Sequence, residues 1–214
     1  MNREALLTST LFVLSLNAFA GTAATGLAAE KEEAPSWEYS ISTATYFALH
    51  SQDYVNPNIT ADHDWLHLEA RYNYELLKTG SFWLGYNFSG GEKLEWEVTP
   101  MFGGVFGNLT GAAPGYTISL TWQLLEFFTQ GEYFIDAGTS ENNYFYTWSE
   151  LSIAPMHWFR LGIVVDRTKA LAEDIAIRRG PLVGLRYKNF DFTTYWLSPG
   201  SHESTFVFAV TVNF

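Results

Sequence analysis

Charged side chains recur two positions apart in this chain, with an aromatic or aliphatic residue between them. Glu95 and Glu97 flank Trp96, and Glu69 and Arg71 flank Ala70. On an extended strand that spacing puts both charges on one face, because successive side chains alternate across it. Glu126, Glu132, Glu150, Arg160 and Arg186 fall on the corresponding face of later segments. Enclosed together, these residues have two uses. Carboxylates lining a water-filled path concentrate cations by electrostatic focusing; alternatively, Arg71, Arg160 and Arg186 bridge them into a closed network that fills the space. In both cases each charge must be hydrated or paired, since an isolated buried ion carries a large desolvation penalty.

Covalent and metal chemistry find less support. Ser152 and His157 lie near one edge, and His50, His202, Asp53 and Asp136 near the other, without the pattern of a hydrolase. No catalytic residue is expected. The run Asp62-His63-Asp64 is dense in potential ligands but reads as a solvated turn, so no metal or cofactor is expected. A formal charge of -11 argues against a nucleic-acid partner, which would need a basic patch.

The charged residues need elements that hold them on a common face. After "EKEEAPS" the chain becomes a series of alternating segments with almost no helical periodicity. In "LHLEARYNYE", Leu68, Ala70, Tyr72 and Tyr74 form the apolar face, and Glu69, Arg71, Asn73 and Glu75 the polar one. Aromatics make up 17% of the chain and charged residues only 16%, where a soluble domain has about a quarter charged. The apolar faces therefore suit lipid better than a soluble core. The expected fold is all-β, a transmembrane up-and-down antiparallel β-barrel.

Strand parity refines that expectation, because a single-chain bacterial outer-membrane barrel needs an even number of strands with both termini on the periplasmic side. The clear segments number eleven. The missing strand lies in "DYVNPNITADHDW", where Val55, Pro57, Ile59 and Ala61 alternate with Asn56, Asn58, Thr60 and Asp62. Proline demotes a strand without excluding it. Twelve strands are predicted, at 37-49, 54-62, 65-76, 81-89, 93-106, 115-122, 125-136, 144-154, 158-169, 180-188, 190-198 and 205-214, with ten as the alternative count. Short connections ("HD", "GGE", "QL", "PMH", "N") then fall at one end. Longer ones, including "LLKTG", "GNLTGAAPG" and "ALAEDIAIRRG", fall at the other. Trp37, Trp65, Trp122 and Trp158 sit at strand ends on the short-turn side, as an interfacial aromatic girdle requires. Arg178 and Arg179 belong to the longest external loop, which reads as solvated, with contact to lipopolysaccharide or a partner as the alternative.

Residues 1-20 read as a secretory signal peptide, with Arg3 near the amino terminus, an apolar stretch from Leu6 to Leu16 and the small-x-small site Ala18-Phe19-Ala20. A cut as late as residue 29 is also compatible. Residues 30-36 form a polar linker and 37-214 a single barrel domain. The absence of cysteine excludes a disulfide framework and a lipid-modified cysteine anchor.

The chain closes on "TFVFAVTVNF", with Phe208, Val210, Val212 and Phe214 on every second position. This segment resembles the carboxy-terminal signature of Gram-negative outer-membrane β-barrels. "LHLEARYNYE", "TPMFGGVFGNLTGAAPG" and "YFYTWSEL" likewise resemble segments of small outer-membrane barrels that have no assigned chemistry. The resemblance implies export to the outer membrane, contact with its lipid and lipopolysaccharide, and reading of the last strand by the barrel-assembly machinery. The functional expectation is a monomeric, narrow, porin-like passive channel for small polar or cationic solutes. A closed structural barrel is the alternative, and an outer-membrane enzyme a more distant one.

Overall fold

A computed structural model describes residues 36-170 and 174-214. The expected signal peptide, and all of the linker except Ser36, lie outside the described residues. Strands account for nearly all of the remainder: β1 (Glu38–Ala48), β2 (Tyr54–His63), β3 (Leu66–Tyr72), β4 (Thr79–Tyr86), β5 (Phe88–Gly90), β6 (Leu94–Gly107), β7 (Gly111–Trp122), β8 (Leu125–Asp136), β9 (Tyr144–Met156), β10 (Phe159–Ala170), β11 (Ala176–Tyr187), β12 (Phe190–Leu197) and β13 (Thr205–Asn213). Asn87 alone separates β4 from β5, and both pair with β6, so the two make one interrupted stave. The barrel thus has twelve antiparallel staves.

Each stave pairs with its neighbour in sequence, and β1 pairs with β13 from Ser40↔Asn213 to Ala48↔Thr205 to close the sheet. Tyr39 and Phe214 exchange backbone hydrogen bonds of 3.3 and 2.9 Å at that seam, so the final residue is tied to the first strand. Closure leaves no unpaired edge.

The burial pattern is that of a soluble protein turned inside out. Ser40 and Ser42 face the interior at 3% and 2% exposure, while Ile41 between them is 47% exposed. On β13, Val207, Ala209 and Thr211 point inward, and Phe206 and Phe208 outward. A continuous apolar exterior of this kind requires lipid, because each exposed side chain would otherwise forfeit about 1.5–3 kcal/mol of burial in water.

Tight turns gather at the end where β1 begins and β13 finishes. Asp64, Gln123 and Lys188 take positive φ there, at 53°, 55° and 53°. Trp37, Trp65, Trp122 and Trp158 are all exposed at the same end. The irregular strand is present as β2, and its proline has a local explanation. The β3 ladder reaches only to Asn58, so Pro57 has a neighbouring strand on one side alone.

Three expected boundaries are corrected. Strand 65-76 ends at Tyr72; Asn73 and Lys78 adopt positive φ (59° and 61°), and the segment between them turns into the barrel. Tyr74, expected on the lipid face, is therefore buried inside. The loop "GNLTGAAPG" is mostly strand, since β7 begins at Gly111 and pairs with Val105. The "EDIAIRR" loop is likewise shortened by β11, which begins at Ala176. That start turns Arg178 inward onto Asp166 and leaves only Arg179 outside.

Candidate functional site

Inward-facing polar residues form three connected groups. The first is built on Arg71, which β3 projects into the interior beside Glu69. One guanidinium nitrogen donates to Glu69 Oε2 at 2.6 Å, and another reaches across to Glu132 Oε2 on β8 at 3.4 Å. The cation is also held between two rings, 4.5 Å from the Tyr74 centroid and 4.3 Å from that of Trp83. Trp83 can lie flat because glycine faces it: a Cβ at Gly103 would come within 2.5 Å of the indole. Charge pairing and cation–π contact together offset the cost of burying this arginine.

The segment 73-78 packs onto that group like a stopper. The Tyr74 hydroxyl accepts from Gln130 Nε2 at 2.8 Å, and Glu75 Oε1 accepts from Ser81 Oγ at 2.6 Å. Backbone clamps hold the turn in place: Lys78 N donates to Asn73 Oδ1 at 2.8 Å, and Asn73 Nδ2 donates to the Val55 carbonyl at 2.9 Å. Burial pushes the Glu75 carboxyl above its ordinary range; Arg71 and the Ser81 hydrogen bond oppose that shift. Below the stopper, His67 Nδ1 lies 2.7 Å from Asp62 Oδ1, which also accepts from Asn87 Nδ2 at 2.8 Å.

The second group lies toward the tight-turn end. Arg186 on β11 spans the interior to Glu126 on β8 with two parallel bonds of 2.8 Å, and its Nε donates to Asp191 at 3.1 Å. Bidentate geometry makes this the strongest form of arginine–carboxylate pairing. Arg160 donates to Glu150 at 3.0 Å and to Thr193 Oγ1 at 2.7 Å, while Trp148 Nε1 fixes the other Glu150 oxygen at 2.8 Å. A third group, at the opposite end, pairs Arg178 with Asp166 among Tyr46, Tyr54 and Tyr146. Tyr46 and Tyr54 stack at 4.7 Å.

All nine charged residues expected on the inner face lie on inward strand positions, but they are not equivalent. Glu69, Arg71, Glu132, Glu150 and Arg160 are buried, Glu97, Glu126 and Arg186 partly so, and Glu95 is exposed at the tight-turn mouth. Phe208 and Phe214 point outward and are exposed; Val210 and Val212 share that face. The Asp62-His63-Asp64 run is split by strand alternation, with Asp62 inside and His63 against the Trp37 ring. Ser152 faces the interior, whereas His157 lies in the β9–β10 turn.

Several interior residues escaped sequence reasoning. Tyr144, Tyr146 and Trp148 share the strand parity of Glu150 and face inward with it, although aromatic side chains are the type expected on the lipid face. Glycine was the available signal for Trp83, and it also shapes the wall beside Arg160. A Cβ at Gly184 would meet Arg160 Nε at 2.5 Å, so that wall must stay bare for the guanidinium to lie along it.

No protein-family model matches the sequence, and no curated protein does. Similarity appears at the level of structure. A KdgM porin superposes with a TM-score of 0.57 at 9% identity, covering 82% of this chain and 99% of that one. The fold is that of the KdgM porin. A second structure, KdgM porin in complex with disordered oligogalacturonate, aligns with a TM-score of 0.55 at 10% identity over 82% of this chain and 98% of its own. At such identity only the architecture carries over.

Proposed function

We propose that this chain is an outer-membrane barrel acting as a narrow, porin-like passive channel for small polar or cationic solutes. The observation that carries the reading is the sign of the interior. Asp62, Glu69, Glu97, Glu126, Glu132, Glu150, Asp166 and Asp191 outnumber Arg71, Arg160, Arg178 and Arg186 on the inner wall. A low-dielectric wall of net negative charge concentrates cations and repels anions. Oligogalacturonate, the acidic sugar chain in the KdgM complex, therefore suits this interior poorly.

Transport needs a path, and the stopper segment sets its width. Tyr46, Tyr74, Tyr146 and Trp148, with Glu75, Glu132 and Glu150, are among the most completely buried side chains. That packing favours a second reading, a closed structural barrel. Planar-bilayer recording separates the two. The channel reading expects small, cation-preferring conductance from the refolded protein and a larger one from the Tyr74→Ala/Glu75→Ala double variant. Silence from both proteins leaves the closed barrel.

The reading extends to biogenesis. The leader at 1-20 directs export, and Phe208, Val210, Val212 and Phe214 engage the barrel-assembly machinery. Trp37, Trp65, Trp122 and Trp158 anchor the periplasmic interface, and the barrel functions as a monomer. The outward face of the last strand supports the assembly assignment, and the exposed tryptophan ring supports the interfacial one. Removal of Phe214 is expected to lower outer-membrane assembly, read as loss of the heat-modifiable folded band in membrane fractions.

A further inference from the structure

Among the five histidines of the chain, His63 packs against Trp37, His67 is bonded to Asp62, and His157 lies in the β9–β10 turn. The other two meet each other. His50, in the loop after β1, and His202, in the loop before β13, place their ring centroids 3.9 Å apart at an interplanar angle of 36°. Nothing in their sequence spacing announces that contact; the closed sheet creates it, because β1 and β13 are neighbours.

Hydrogen bonds hold both loops in place. Leu49 N donates to the Ser204 carbonyl at 3.4 Å, linking one loop to the other, and Ala48 N donates to Asp53 Oδ1 at 3.2 Å across the base of the first. Around His202, Glu203 N donates to Ser201 Oγ at 3.2 Å and Ser204 N to the Ser201 carbonyl at 3.2 Å. Trp196 Nε1 donates to Ser204 Oγ at 2.9 Å and ties that loop to β12. Both histidines are exposed, and among the described residues no hydrogen bond engages either ring. The charged residues of the two loops are Asp53 and Glu203, both acidic; neither loop contains lysine or arginine.

Two adjacent imidazoles with available nitrogens, in acidic surroundings, make a chelating pair for a divalent transition ion. We infer that His50 and His202 together bind one such ion, Cu²⁺ the most tightly of the first-row series, with water in its remaining positions. Two nitrogens on one ion lie about 3–3.4 Å apart when each metal–nitrogen bond is ~2.0–2.1 Å. Rotation of the exposed rings out of their stack supplies that arrangement. No group of three histidines or carboxylates converges among the described residues, so the protein contributes two donors and no more. Asp53, already committed to a backbone amide, and Glu203 add negative field. The bound ion fastens together the two hairpins that flank the closing seam between β1 and β13. The site lies apart from the charged inner wall and is independent of transport.

Titration of the tag-free refolded barrel with Cu²⁺, followed by electron paramagnetic resonance, tests it. One ion per barrel is expected, with hyperfine structure from two imidazole nitrogens. His50→Ala and His202→Ala should each weaken binding roughly 100-fold, the gain that a second tethered donor brings. His157→Ala, at the tight-turn end, should leave binding unchanged. Both loop positions are exposed, and the heat-modifiable band checks that each variant folds. Hydrogen exchange across residues 49-53 and 198-204 should slow on binding in the wild type and not in the two loop variants. Absence of a bound ion, a spectrum from one nitrogen or from four, undiminished binding in either loop variant, or equal loss in His157→Ala would overturn it. Bilayer conductance without added metal reports on the channel reading, so either can fail alone.

Discussion

Arg71 is the residue on which most of the inner network converges, touching Glu69, Glu132, Tyr74 and Trp83. Replacing it by methionine keeps much of the volume but strands two buried carboxylates. The expected loss of stability is about 3–5 kcal/mol, because removing one partner of a buried pair leaves the other uncompensated. Urea unfolding in lipid vesicles measures it, and adding Glu69→Gln to Arg71→Met should recover part of the loss. Arg186 offers a contrasting case, since it is only partly buried and stands toward the tight-turn mouth. Arg186→Ala should cost less stability, yet increase cation preference by freeing the Glu126 carboxylate. A shift of reversal potential toward that of an ideal cation channel is the readout.

Among the elements, the turn after β3 stands outside the strand ladders. It contributes Tyr74 and Glu75 to the interior, but it is held by a few hydrogen bonds and by positive φ at Asn73 and Lys78. Asparagine tolerates that conformation better than other residues with a Cβ. Asn73→Ala removes both side-chain bonds and adds backbone strain, for a local cost of roughly 2–3 kcal/mol. Faster hydrogen exchange across residues 73-78, with the strand amides unaffected, is the expected signature. Glu75 makes the same turn sensitive to pH. Its carboxyl is raised in the folded state, so its contribution to holding the turn is complete below the ordinary glutamate value and is lost as pH rises through the raised one. Conductance should therefore grow as pH increases through that window, and Glu75→Gln should flatten the dependence.

The same element marks the limit of what alternation alone can convey. Strand number and facing were legible because Phe206, Phe208, Glu69 and Arg71 obey a period of two, and because parity forced the Pro57 strand into the count. The in-turned "NYELLK" was not, since Tyr74 continues the alternating pattern while Asn73 breaks the backbone. Strands β7 and β11 start earlier than expected for a different reason. Their first residues, "GAAP" and "AIRR", carry no distinction between faces, and ladder bonds from β6 and β10 extend them. The ion-pair partners were hidden in another way. Arg186 and Glu126 meet across the barrel from strands that are not neighbours, a contact that no local spacing encodes.

At the scale of the whole molecule, the closed sheet puts an acidic interior inside an apolar shell and positions the stopper within it. On the proposed function this interior conducts, and its net charge selects cations. Reversal potential in a planar bilayer across a tenfold KCl gradient is the most direct test. A small, steady conductance is predicted, with a reversal potential on the potassium side of zero that moves toward zero in Glu126→Gln/Glu150→Gln. An anion-selective potential, or no conductance from the wild type and from the Tyr74→Ala/Glu75→Ala variant alike, would contradict it.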